Sequence, residues 1–289
     1  MAGGRGLRLS CAAVGSLLVI AVLVAIGVIA YSAVSVLGHL VTPRPGSAAT
    51  SGSESVQPPL LHLRVANPRI PFYAGPSTRS GFDVSYPQCG ATLPSTNGGF
   101  AIVGIGGGQP ITRNNCRGDQ WVWAVQQAAT AVYVNTSDPG TQDPTQWGQT
   151  VANSALFGIR DTGVPIGTPV WLDVETNNVW VGSWQRHVTV LQTMAQTIAD
   201  AGYPVGIYSN QNLWYTITGN ATVNVPTWYA TGAGTERTAL TYCRDNSFGG
   251  HYPSMVQWVA RVSAGYDLDH NALCPGVAGT GVVRRTGNG

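Results

Sequence analysis

An α/β fold of the (β/α)8-like TIM-barrel class, irregular or flattened in places, is what the sequence predicts for residues 80–275. Three observations predict it. Eight short apolar runs recur along that stretch, and segments with apolar residues at three- and four-residue spacing separate several of them. Acidic, amide and aromatic side chains gather where those runs end, the face on which barrels of this class carry their chemistry.

The expected strands are 81–85, 100–106, 131–135, 170–175, 205–208, 227–230, 255–259 and a short piece at 266–269. Helical spacing marks 120–128, 147–161, 188–201 and 212–217. In the clearest helix, Val188, Leu191, Ala195 and Ile198 share one face, and Gly202 follows where a C-cap glycine belongs. At the strand ends stand Asp83 and Ser85, Asp173 and Glu175, Tyr208 and Asn210, Gln257, and Asp269. Residues 104–108 (GIGGG) fit neither the dinucleotide fingerprint nor the P-loop and read as a strand-to-helix turn.

Ahead of the barrel, residues 1–8 read as a short cytoplasmic end and 9–41 as a transmembrane signal anchor. The run from Leu9 to Val41 holds no Asp, Glu, Lys or Arg, ample for one spanning helix of about 20 residues. Arg5 and Arg8 on its short flank orient that end inward, so the rest faces outward; cleavage of the segment, with secretion, is the alternative. Residues 42–79 read as a Pro/Ser-rich extracytoplasmic linker, with Leu60 to Tyr73 apolar enough to pack on the domain. The Gly-rich stretch 276–289 reads as a flexible tail.

All 15 basic residues are Arg; from residue 51 onward 12 of them face 13 acids. That near-neutral balance argues against nucleic acid as a partner. Cys11 lies in the apolar segment, leaving Cys89, Cys116, Cys243 and Cys274, none at zinc-ligand spacing. Of the three connectivities open to four cysteines, local loop closure favours Cys89 with Cys116 and Cys243 with Cys274, which implies an oxidising compartment. No metal or other cofactor is expected, and the domain reads as a monomer. Patterns for a nucleophilic serine, a zinc protease or a calcium loop are absent or broken.

The chemistry centres on Trp171-Leu-Asp173-Val-Glu175-Thr176. As a strand, its period of two puts Trp171, Asp173 and Glu175 on one face. Neighbouring carboxylates do not both ionise cheaply, so one keeps its proton near neutral pH and can act as a general acid. In isolation such a pair more often caps a turn or meets an Arg.

Six motifs in order decide between these readings: Gly81-Phe-Asp83-Val-Ser85, Trp171 to Glu175, Gly206-Ile-Tyr208-Ser209 with Trp214, Thr227-Trp-Tyr-Ala230, Gln257-Trp258, and Asp269-His-Asn271. Together, over about residues 80 to 275, they resemble glycoside hydrolase family 25, the lysozymes that cut the β-1,4 bond from MurNAc to GlcNAc in peptidoglycan. The resemblance implies a flattened (β/α) barrel with Glu175 as general acid, Asp173 assisting it, and Asp83 and Asp269 completing the site. The family's Asp-x-Asn pattern selects Asp269 through Asn271, with Asp267 one step away as the alternative. The chain departs from the family after Ser85, where Tyr86-Pro-Gln-Cys89 replaces the usual Gln-Gly, and at Arg113 to Asp119, which reads as an insertion.

Glycosidic hydrolysis needs a proton for the leaving oxygen and stabilisation of an oxocarbenium-like transition state, commonly from two carboxyls. Glu175 and Asp173 fit those tasks. Trp171, Tyr208, Trp228, Tyr229 and Trp258, with Gln257 and Asn271, are the candidate substrate-binding residues. The expected protein is a membrane-anchored, outward-facing glycosidase acting on peptidoglycan or a related wall glycan. The alternative is a domain of the same fold that binds wall glycan without cutting it.

Overall fold

The computed structural model describes residues 61–66, 68, 79–107, 112–261, 267–275 and 283–284. The expected cytoplasmic end 1–8, the spanning segment 9–41 and most of the linker and tail lie outside them. No helix among the described residues is long and apolar enough to cross a membrane.

The chain forms β1 (His62–Leu63), β2 (Ser80–Val84), β3 (Phe100–Gly107), α1 (Arg117–Ala124), β4 (Ala129–Asn135), α2 (Pro144–Asp161), β5 (Val170–Asp173) and α3 (Trp184–Asp200). It continues through β6 (Val205–Ser209), α4 (Gln211–Thr218), β7 (Thr222–Val223), β8 (Thr227–Ala233), α5 (Glu236–Asp245), β9 (Met255–Arg261), β10 (Asp267–Leu273) and β11 (Val283–Arg284). Among the described residues, eight strands close a barrel in the order β2, β3, β4, β5, β6, β8, β9, β10, with β10 returning to β2. Polar caps start the helices: Asp143 accepts from the Thr145 and Gln146 amides, Ser183 from Arg186, Asn210 from Leu213 and Thr235 from Thr238.

The irregularity expected of the (β/α)8-like barrel falls in two places. Between β2 and β3 stands only a 3-10 turn, Tyr86–Gln88, instead of a helix. And β10 is antiparallel to both neighbours, whereas the other barrel neighbours are parallel. Only residues 262–266 separate β9 from β10, and a parallel crossover needs a dozen or more, so the chain turns back. The helix α5 was not expected; Thr235 capping Glu236, and Ala239 and Cys243 buried one turn apart, are its local signals. The glycines 104–107, expected as a turn, belong to β3 and its register shift.

Alternation along each strand separates two cores. Phe100, Ile102, Ala129, Ala131, Trp171, Tyr208, Trp228, Met255 and Leu273 fill the barrel interior. Val103, Val132, Leu172, Ile207 and Val256 face outward against helix residues such as Val151, Leu191 and Ile198. Interior space is tight: a Cβ on Gly206 would lie 2.3 Å from the Trp171 ring, so glycine there admits the indole. Both disulfides form as the loop-closure argument expects, Cys89–Cys116 and Cys243–Cys274.

Residues 61–66, within the stretch expected to be linker, pack on the barrel domain. β1 pairs in parallel with β7, and Leu63 and Val65 are buried. Side-chain amides complete the ladder: Gln192 takes the Arg64 N–H at 2.5 Å and donates to its carbonyl at 2.6 Å. Asn224 does the same for Val65, at 2.9 Å in each direction.

Candidate active site

The acids reach one rim by strand parity. Asp83 precedes the last residue of β2, and Asp173 ends β5 beside Trp171 on the inward face; Glu175 lies two residues beyond, in the loop. Asp269 arrives from the opposite direction. Near the start of a reversed strand, it stands at the same rim as the ends of the parallel strands, paired with Asp83 and Val259. Asp83, Asp173, Glu175 and Asp269 line one cavity of about 230 Å³, with Tyr133, Tyr208, Trp228 and Gln257. Asp269 lines it, whereas Asp267 is exposed and does not.

Hydrogen bonds fix these groups. Gln257 Nε2 donates to both Asp83 oxygens at 2.7 and 3.0 Å, which orients its amide, and its Oε1 accepts from the Tyr208 hydroxyl at 2.7 Å. Tyr208 also interacts with Glu175. That contact opposes, without cancelling, the rise that burial imposes on Glu175. Asn135 Nδ2 donates to Asp173 Oδ2 at 2.5 Å, and Thr136 Oγ1 to the Asp173 carbonyl at 2.7 Å.

Crowding acids in a buried site raises their pKa values. Burial, then the Asp269 charge, pushes Asp83 well above the usual carboxylate range. Burial, then the Glu175 charge, does the same to Asp173. Burial raises Glu175, and burial followed by the charges of Glu175 and Asp267 pushes Asp269 up to about 6. At least one carboxyl of the cluster therefore holds its proton under mildly acidic conditions. No group of three or more His, Cys, Asp or Glu among the described residues is arranged to hold a metal ion.

The expected substrate-binding residues divide. Tyr208, Trp228 and Gln257 line the cavity. Trp171 and Asn271 are wholly buried, Trp171 in the interior core and Asn271 inward on β10, so neither is on the cavity wall. Tyr229 and Trp258 do not line the cavity. Each follows an inward residue, so the period of two turns it out of the barrel: Tyr229 against Tyr242 and Phe248, Trp258 stacked on His270. Sequence reasoning missed Tyr133 and Asn135, which share the inward face at the end of β4, with Asn135 in register with Asp173. The same strand-end rule applied to β4 finds both. His187 is buried, with Nδ1 2.8 Å from the Ile217 carbonyl.

Comparison with known proteins adds a family. The chain is similar to "Lysozyme-like protein 1" of Caenorhabditis elegans, 32% identical over 124 residues, 40% of this chain and 41% of that protein. It is similar to "Probable GH family 25 lysozyme 3" of Dictyostelium discoideum, 37% identical over 71 residues, 24% of this chain and 15% of that protein. The chain thus spans less than half the length of these curated relatives. Among solved structures, the muramidase from Trichobolus zukalii superposes with a TM-score of 0.49 at 17% identity, over 66% of this chain and 92% of that one. The model of the family described as lysozyme-like protein 1 matches residues 109–258, more than half of the chain. The chain belongs to that lysozyme-like family, in agreement with the glycoside hydrolase family 25 resemblance carried by its motifs.

Proposed function

We propose that the chain is a glycoside hydrolase of the muramidase type that cleaves the β-1,4 bond from MurNAc to GlcNAc in peptidoglycan. The observation that carries this reading is the convergence of Asp83, Asp173, Glu175 and Asp269 on one cavity. Glu175 is the general acid. It is partly exposed and set in a loop, where it can meet a glycosidic oxygen, and its raised pKa keeps the proton available. Asp173, buried and held by Asn135, orients or polarises a substrate group such as the N-acetyl next to the scissile bond. Trp228 lines the same cavity with a shielded indole N–H that has no acceptor among the described residues, a donor suited to a sugar oxygen.

Two disulfides support action outside the cytoplasm. Membrane anchoring is part of the proposal and rests on the uncharged apolar run from Leu9 to Val41. The test is the purified chain on isolated cell walls, with Glu175→Gln and Asp173→Asn alongside. New reducing ends from the parent, lost in Glu175→Gln, are expected. Sedimentation with the wall and no reducing ends would instead show a glycan binder of the same fold.

A further inference from the structure

We infer that Tyr86 is the aromatic platform of a sugar-binding subsite beside the acid cluster, built by the two segments in which this chain departs from the family pattern. The inference rests on the hydrolase reading and extends it to how the glycan is gripped. A second cleft, of about 440 Å³, opens next to the acid cavity and shares Tyr133 and Glu175 with it. A glycan bound across Glu175 would therefore extend into it.

The chemistry of the cleft fits a polyhydroxylated sugar ligand. Two lining residues are charged: Glu175 belongs to the acid cluster, and the Arg113 guanidinium lies 4.4 Å over the Phe157 ring. The remaining polar lining is hydroxyl and amide, including Ser85, Asn114 and Asn178. The shielded Asn178 amide nitrogen has no acceptor among the described residues, so a donor is in place for a ligand oxygen.

One wall of the cleft is rigid. Gln120 Nε2 donates to the Ser85 carbonyl at 2.6 Å, and its Oε1 accepts from Asn114 Nδ2 at 2.6 Å. Asn114 Nδ2 also donates to the Gly104 carbonyl at 2.8 Å, tying the wall to β3. Reciprocal bonds between Ser85 and Gln88 close the 3-10 turn, and the Cys89–Cys116 disulfide links it to the start of α1. On this fixed turn Tyr86 is 72% exposed. A rigidly mounted aromatic at the lip of an amide-lined cleft offers a face to a sugar ring at little ordering cost, because turn and side chain lose little freedom on binding.

The experiment uses the full chain carrying Glu175→Gln, so that bound glycan is not turned over, titrated calorimetrically with a GlcNAc–MurNAc hexasaccharide. Adding Tyr86→Ala should weaken binding about tenfold, while Tyr86→Trp restores it. The melting temperature should not move, since the ring packs on little. Equal affinity for the hexasaccharide with and without Tyr86→Ala overturns the subsite and leaves the hydrolase reading standing. Equal weakening by Tyr86→Ala and Tyr86→Trp overturns the aromatic role. A Glu175→Gln parent that binds no hexasaccharide overturns the hydrolase reading and the subsite together.

Discussion

Asp269 stands directly across the antiparallel ladder from Asp83, both facing into the barrel. Opposed residues on such a ladder bring their Cβ atoms to about 4.5–5.5 Å, so the two carboxylates repel if both ionise. The Asp269 charge accordingly adds to burial in raising Asp83, while burial and the charges of Glu175 and Asp267 push Asp269 up to about 6. A carboxyl whose folded pKa is raised contributes stability that is full below its unfolded pKa and is lost as pH rises through the folded value. Asp269→Asn, which cannot ionise, should therefore melt higher than the parent at neutral pH. The gain should be several degrees, at about 2–4 °C per kcal/mol for a domain of this size, and should shrink below the ordinary carboxylate range. Scanning calorimetry at both pH values checks it; a gain independent of pH would contradict the pairing.

Glu175 and Asp173 couple in the same way, and here activity is the readout. If Glu175 delivers the proton, kcat/KM falls as pH rises through its raised pKa. Asp173→Asn should lower kcat and leave that alkaline limb in place, because burial and not the Asp173 charge raises Glu175. Glu175→Gln should lower kcat by about 10²–10⁴ and abolish the limb. A Glu175→Gln profile that keeps the parent's alkaline limb would assign the proton to another group.

Gln257 holds Asp83 and Tyr208 at once. Gln257→Leu keeps most of the volume but takes one hydrogen-bond partner from a buried carboxyl and from a buried hydroxyl, a cost of about 1–3 kcal/mol for each group. Urea unfolding should show a lower midpoint with an unchanged slope. A midpoint equal to the parent's would mean that neither bond contributes.

The four acids were legible in the sequence because the rules that place them are local. A period of two puts Asp173 with Trp171, and the strand-end rule puts Asp83 at the rim. Asp269 was found by its motif, although it reaches the rim from the start of a reversed strand, which the short separation between β9 and β10 dictates. Tyr229 and Trp258 face away from the cavity because facing in or out flips with each residue, and motif adjacency to Trp228 and Gln257 carries no parity. The docking of residues 61–66 had an apolar cue at Leu60 to Tyr73 but no local sign of its partners. Gln192 and Asn224 are distant in sequence and meet it only in the folded chain.

The Cys243–Cys274 bridge joins α5 to the end of β10 across a sequence separation of 31. Loop-closure entropy for such a separation is worth about 3–4 kcal/mol. Replacing both cysteines by Ala should lower the unfolding free energy by that order, read by urea titration of the non-reduced proteins. A loss near zero would show that strain in the native state offsets the entropy.

Arg64 is a tryptic site whose backbone N–H and carbonyl both bond Gln192, and the next residue is bonded the same way by Asn224. A protease needs the scissile backbone free of such bonds and extended in its own cleft, so cutting after Arg64 requires the strand to lift first. Each lost pair of bonds lowers the cost of lifting by about 1–2 kcal/mol, or on the order of tenfold in cutting rate. Gln192→Ala with Asn224→Ala should therefore be cut after Arg64 roughly a hundredfold faster than the parent, with the barrel unchanged by circular dichroism. Burial of Leu63 and Val65 resists the same motion, so Leu63→Ala should accelerate the cut even with both amides intact. Equal rates in all three proteins would mean that the bonds formed by Gln192 and Asn224 do not hold residues 61–66 to the barrel.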